Sequence, residues 1–140
     1  MNKQKIFLSW KWVDEQINEV GDRLEGLDLE FVSGIPRGGL IPAVMMSHAF
    51  NMKYISYSSA KLLPKELRDK TLVVDDIADT GHTLKEAVEL GFITSTLCMR
   101  VGSETAPRYY GEFVKNDSWL VFPWETLDSV PMQDYLVDPK

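Results

Sequence analysis

Leu72-Val73-Val74-Asp75-Asp76-Ile77-Ala78-Asp79-Thr80-Gly81-His82-Thr83-Leu84 is the stretch from which the rest of the chain is best read. An apolar strand runs into two adjacent carboxylates, a third follows at Asp79, and a Thr/Gly/Thr turn opens a helix near Thr83. Successive strand residues point to opposite faces, so Asp75 and Asp76 reach one ligand only if the strand is ending there. Carboxylates so placed accept hydrogen bonds from neighbouring sugar hydroxyls or hold a hydrated Mg2+. The turn from Ile77 to Thr83 offers backbone N–H groups and the Thr80 and Thr83 hydroxyls, and a helix N-terminus behind such a turn favours a phosphate. A ligand with vicinal hydroxyls at one end and a phosphate at the other, a ribose 5-phosphate, is predicted. A lone Asp-Thr-Gly would be an ordinary turn; the whole strand–loop–helix context is far more specific.

At 140 residues, 44% hydrophobic and 26% charged, the chain suits one folded domain with one core. No apolar run is long enough to span a bilayer, and the apolar stretch near the N-terminus is too short for a secretory signal. The single cysteine, Cys98, lies in an apolar run and is expected to be a small core residue. These features predict a cytoplasmic protein. A net charge of −6 argues against nucleic acid as a partner. It also requires local cations for an anionic ligand, for which Arg37, Lys61 and Arg100 are candidates.

Outward from the quoted stretch, strands and helices alternate. Val13, Ile17, Val20 and Leu24 recur at helical spacing, with Ser9 as N-cap and Gly26 closing the segment. Leu29–Val32 reads as a strand, Leu40–Phe50 as an apolar helix with Pro42 in its first turn, and Lys53–Tyr57 and Thr71–Asp75 as strands. Thr83–Leu90 is predicted helical and Ile93–Met99 a strand. Residues 65–70 read as a charged surface hairpin, Tyr109-Tyr110 as part of a loop, and the tail after Trp124 as mostly irregular. Alternation of this kind indicates an α/β fold, a parallel sheet covered by helices. Ligands bind such sheets at the carboxyl ends of the strands. The loop Pro36-Arg37-Gly38-Gly39 belongs at that edge: its glycines let an anion approach the backbone, and Arg37 donates charge-assisted hydrogen bonds to phosphate oxygens.

The 72–84 run closely resembles the phosphoribosyl-pyrophosphate signature of the type I phosphoribosyltransferases. The Ser9-Trp10 helix opening, the Arg37-Gly38-Gly39-Leu40-Ile41-Pro42 run and the stretch from Met99 to Trp124 resemble the bacterial xanthine-guanine branch, so the resemblance spans nearly the whole chain. It implies a single-domain type I phosphoribosyltransferase fold over residues 1–140: a mostly parallel twisted sheet flanked by helices, with a shortened flexible hood at residues 58–70. It implies that Asp75 and Asp76 bind the ribose hydroxyls and that Asp76 lies near Mg2+. Ala78, Asp79, Thr80, Gly81, His82 and Thr83 would enclose the 5-phosphate, with His82 contributing its backbone N–H rather than its ring. Arg37, Gly38 and Lys61 would meet the pyrophosphate, with a cis bond between Pro36 and Arg37. For the purine base, Arg100 takes the place of a lysine that bonds the 6-oxo group, Trp119 stacks on the ring and Leu120 packs beside it.

The reaction so implied is displacement of pyrophosphate from ribose C1 by a purine nitrogen, with guanine, xanthine or hypoxanthine as acceptor. Asp79 is the candidate catalytic group, holding the proton at purine N7. The implied assembly is a homodimer or homotetramer. The short hood and the arginine at position 100 also support an alternative, a catalytically weak nucleotide-binding or regulatory module. Neither G-x-x-x-x-G-K-[ST] nor a G-x-G-x-x-G after the first strand is present, which sets aside P-loop and dinucleotide sites.

Overall fold

Thr71 to Ala78 forms the central strand of a five-stranded, all-parallel sheet. The computed structural model describes residues 4–79 and 82–126. Within them the elements run β1 (Lys5–Phe7), α1 (Trp10–Leu24), β2 (Phe31–Gly34), α2 (Leu40–Phe50), β3 (Lys53–Tyr54), α3 (Tyr57–Ala60), α4 (Lys65–Arg68), β4 (Thr71–Ala78), α5 (His82–Glu89), β5 (Ile93–Arg100), β6 (Tyr109–Val114) and β7 (Trp119–Val121). The main sheet has the order β3-β2-β4-β5-β6, and β1 and β7 form a separate parallel pair. No helix among the described residues is long and apolar enough to cross a membrane.

A strand buried on both faces reads as a continuous apolar run, and Leu72, Val73 and Val74 are fully buried. Leu72 and Val74 join one core with Val13, Ile17, Val20 and Leu24 of α1 and with Ala43 and Met46 of α2. Val73 and Ala78 join the other with Leu84 and Ala87 of α5, Ala60 and Phe92. Helix α1 starts where the sequence predicts it, with the Ser9 hydroxyl accepting the Trp12 N–H at 3.0 Å. Cys98 is buried in the first core, and its thiol is pushed well above the ordinary range by that burial.

The strand order reverses between β2 and β4. From β2 the chain crosses to β3 on one side, and it then returns to place β4 on the other. Helix α2 follows β2 and packs into the first core, whereas α5 follows β4 and packs into the second. The loops leaving these neighbouring strands therefore part toward opposite faces and leave a crevice at their carboxyl ends.

Several boundaries depart from the sequence expectation. Strand β4 continues through Ala78, because Ile77 and Ala78 remain paired with Cys98 and Met99. Tyr57 starts the short helix α3 instead of extending β3, and Lys65–Arg68 forms the four-residue helix α4 in place of a hairpin. Tyr109 and Tyr110 lie in β6, paired with Ser95 and Thr96. Strand β1 has too few residues for a visible period and exists through pairing with β7, more than a hundred residues away in sequence. Thr80, Gly81 and the tail beyond residue 126 lie outside the described residues.

The sheet holds the loop after β2 by close backbone approach. Ile35 N–H donates to the Val74 carbonyl at 2.9 Å, and Gly39 N–H to the Ile35 carbonyl at 2.9 Å. A Cβ at Gly39 would collide with the Val74 carbonyl oxygen and the Ile35 backbone. Gly39→Ala is therefore expected to destabilise the chain by about 1–3 kcal/mol, the usual cost of overpacking. A urea titration checks this: the midpoint should fall with the slope unchanged. An unchanged midpoint would contradict the close approach.

Candidate active site

Asp75 and Asp76 sit within β4 and obey its alternation. Asp75 turns toward α5, where its Oδ2 accepts the Thr83 hydroxyl at 2.9 Å. Its Oδ1 accepts the Asp76 N–H at 2.9 Å. Asp76 turns toward the loop after β2, and a Cβ on Gly38 would collide with its carboxylate. The expectation that the strand must end at these acids was wrong. The strand continues, and the two loops from opposite faces approach the acids from either side.

The loop itself is a tight turn with a cis Pro36–Arg37 bond, at the position the sequence resemblance implied. Gly39 and Leu40 spend their N–H groups on Ile35 and Arg37 carbonyls. Among the described residues the Arg37 and Gly38 amides have no such partner. Gly38 lies against Asp76 and Arg37 is exposed, so the loop carries two backbone donors and one guanidinium. Donors of this kind suit an anion. Lys61, the third residue expected here, is otherwise engaged: its Nζ lies 3.4 Å from Glu86 and 4.9 Å from the Tyr57 ring centroid. Tyr57 donates to the same Glu86 at 2.8 Å.

On the other side of Asp76 the carboxyl ends of β4 and β5 converge. Arg100 Nε donates to Asp79 Oδ1 at 3.0 Å, and its Nη1 to the Asn116 carbonyl at 2.6 Å. One guanidinium thus ties the end of β4 to the turn before β7 and retains its Nη2 amino group. His82 opens α5 with its ring 3.3 Å from Glu104, so its imidazole turns to the β5–β6 loop. Thr83, the next residue, is held by Asp75. Ala78 is buried in the second core, which leaves only its backbone to face a ligand.

Trp119 and Leu120 lie on β7. The Trp119 N–H donates to the Gln4 carbonyl at 2.8 Å, and Leu120, paired with Ile6, packs against the first core. Trp119 is partly exposed and has the Lys5 Nζ 5.3 Å from its ring centroid. Neither Lys5 nor Asn116 was found by sequence reading. The first belongs to a strand too short to detect, and the second acts through a carbonyl that every residue possesses. Glu125 was also missed as a contributor: its Oε1 accepts the Phe122 N–H at 2.8 Å, and its charge bears on Asp76.

Burial sets the electrostatics of the acid pair. It drives Asp75 well above the usual carboxylate range, and the neighbouring charge of Asp76 adds to the shift. Asp76 is pushed up to about 6, again by burial, against the hydrogen bonds from Asp75 and the Ile77 N–H. Donors from sugar hydroxyls or a divalent cation would relieve both acids. Among the described residues no group of three or more His, Cys, Asp or Glu side chains could hold a metal ion. The donor set is two strand carboxylates, which suits Mg2+: that ion keeps several waters and binds one or two carboxylates plus substrate oxygens.

The chain is similar to phosphoribosyltransferases along most of its length. It is 25% identical to the xanthine-guanine phosphoribosyltransferase of Idiomarina loihiensis over 144 residues, covering 89% of each chain. Among solved structures, a purine phosphoribosyltransferase from Pyrococcus horikoshii Ot3 superposes with a TM-score of 0.74 at 29% identity, covering 93% of this chain and 99% of that one. The xanthine-guanine-hypoxanthine phosphoribosyltransferase of Helicobacter pylori, at 18% identity, shares the fold with a TM-score of 0.70 over 87% of this chain and 94% of that one. No family model matches the chain.

The raised Asp76 has a consequence for stability. A carboxylate whose folded-state value exceeds its unfolded one favours the fold most fully at low pH, and that contribution is lost as pH rises. For Asp76 the window runs from about 4, the unfolded value, through about 6. In Asp76→Asn the amide oxygen still accepts the Ile77 N–H while the ionisation penalty disappears. Without ligand, the Asp76→Asn variant should therefore melt higher than the wild type near pH 8 and lose that advantage toward pH about 4. Parallel melting curves across this range check it; an advantage that grows toward acid would contradict the assignment.

Proposed function

The chain shares the fold and signature of the type I phosphoribosyltransferases, and on that premise we propose that it transfers the 5-phosphoribosyl group from phosphoribosyl pyrophosphate to a purine base. Guanine, xanthine and hypoxanthine are the acceptors proposed, with nucleoside monophosphate and pyrophosphate as products, a purine-salvage reaction. The observation that carries this reading is one juxtaposition. The Asp75–Asp76 pair lies between the Arg37–Gly39 loop on one face and the N-terminus of α5 on the other, at the point where the strand order reverses. A molecule with a phosphate, a diol and a pyrophosphate has its three polar parts in that sequence.

In this assignment Asp75 and Asp76 receive the ribose hydroxyls, and the loop from Ala78 to Thr83 encloses the 5-phosphate. The Arg37 guanidinium and Gly38 amide hold the pyrophosphate. Cleavage at C1 passes through a transition state with oxocarbenium character, so the protein's task is to hold leaving group and nucleophile on opposite sides of the sugar. Donors on the pyrophosphate stabilise the charge that develops there as the bond breaks. Asp76, with Asp75 beside it, would hold Mg2+, which when bound supplies Lewis-acid neutralisation of the pyrophosphate oxygens. Asp79 holds the proton at purine N7 and receives it as N9 bonds to C1 and the bond from C1 to the pyrophosphate oxygen breaks, so the nucleotide base leaves uncharged. Its partner Arg100 orients the carboxylate through Nε and offers Nη2 to the 6-oxo group. Trp119 supplies the stacking face.

A second reading, a nucleotide-binding module with little turnover, draws on two contacts: Asp79 is tied to Arg100, and Lys61 to Glu86. The remaining expectations, a homodimer or homotetramer in the cytoplasm, belong to the same proposal.

Incubation of the chain with Mg2+, phosphoribosyl pyrophosphate and each purine should yield the nucleotide for at least one oxo-purine. Tight nucleotide binding with no product from any of them would favour the second reading. Asp79→Asn should lower kcat by about a hundredfold or more, within the range of general acid–base groups, with a much smaller change in phosphoribosyl pyrophosphate affinity. Trp119→Ala should weaken base binding by about 1–3 kcal/mol. A variant that loses stability but keeps base affinity would remove Trp119 from the site.

A further inference from the structure

Lys5 and Trp119 stand directly across from one another on β1 and β7. The lysine Nζ lies over the indole at 5.3 Å from its centroid, inside cation–π range. The strand pairing fixes this arrangement, because Gln4, the residue before Lys5, accepts the Trp119 N–H. One face of the indole is therefore occupied by an ammonium group, and a base stacked on Trp119 takes the other. Among the described residues no aromatic ring covers that second face.

We propose that Lys5 is a specificity-determining residue for the purine, favouring a ring that carries negative charge over a neutral one. The inference rests on Trp119 being the stacking face. Xanthine loses a ring proton around neutral pH, both as base and as nucleotide, whereas guanine stays neutral there. An ammonium behind the indole draws π density toward itself, so the opposite face repels an anionic ring less. The ammonium also attracts that ring through space, over a separation of the order of the Debye length, about 8–10 Å, so salt weakens the attraction without erasing it. The surroundings favour such a cation: the chain carries a net charge of −6, and Asp75, Asp76 and Asp79 follow one another at the carboxyl end of β4, with the Glu125 charge bearing on Asp76. Lys5 adds a positive charge from the far side of the platform, where it does not compete with the base for space.

The test compares dissociation constants of xanthosine and guanosine 5-monophosphates for the full chain by calorimetry, from about pH 5 to about pH 8, across the range where the xanthine ring ionises. The two nucleotides share ribose and phosphate, so their ratio reports the base alone and needs no turnover. In Lys5→Met the preference for the xanthine nucleotide should fall about 3- to 10-fold near pH 8, with little change near pH 5. Lys5→Glu should lower it further, and Lys5→Arg should retain it. A merely structural lysine would weaken both nucleotides alike and leave the ratio and its pH dependence unmoved. An unchanged ratio in both Lys5→Met and Lys5→Glu, with Trp119→Leu weakening both nucleotides, would overturn the role of Lys5 and leave stacking intact. If Trp119→Leu alters neither affinity, stacking and this inference fall together.

Discussion

Backbone contact between the loop after β2 and the end of β4 is the constraint on which the site depends. Glycines at positions 38 and 39 let the chain pass against the Asp76 carboxylate and the Val74 carbonyl, where any side chain would collide. Because of that approach the Arg37 and Gly38 amides, without a backbone partner among the described residues, lie on a loop that meets an acid of a different strand. The reversal of strand order supplies the rest. It sends α2 and α5 to opposite faces, so one loop meets Asp76 and the other meets Asp75. Neighbouring strand residues, which alternation forces apart, are thereby recruited to one crevice without breaking the strand.

Charge is the second organising element. A buried carboxylate and a partly buried one in succession resist ionisation, and Glu125 adds to the resistance at Asp76. The free site is thus short of positive charge at its centre and ringed by cations at its margins. Arg37 is exposed on the loop after β2, Arg100 is paired with Asp79, and Lys5 lies behind Trp119. Such a site gains when hydroxyl donors and a divalent cation reach the acids. Ligand binding and the ionisation of the pair are then linked, each favouring the other.

The residues bearing local signals were legible in the sequence. Ser9 announces α1 because a hydroxyl before an apolar period caps a helix. The strand carrying the acids and the helix after them lie where the sequence put them, and the cis bond falls at Pro36–Arg37, where the family likeness put it. What was not legible comes from pairing across long sequence separations. Strand β1 has no period of its own and exists only against β7. The Asp79–Arg100–Asn116 connection joins three segments whose proximity no local pattern encodes. The contacts of Lys61 with Glu86 and the Tyr57 ring, which only the fold defines, were likewise not legible in the sequence. The end of β4 was misjudged for a related reason: the acids looked like a terminus, while pairing with Cys98 and Met99 carries the strand beyond them.

The most direct measurement is a crystal structure of the chain with a nucleoside 5-monophosphate bound. The account requires the phosphate within the turn leading into Thr83, the ribose hydroxyls on Asp75 and Asp76, and the base against Trp119 with its oxo edge toward Arg100. A nucleotide lodged away from the carboxyl end of β4, with that turn unfilled by phosphate, would contradict it.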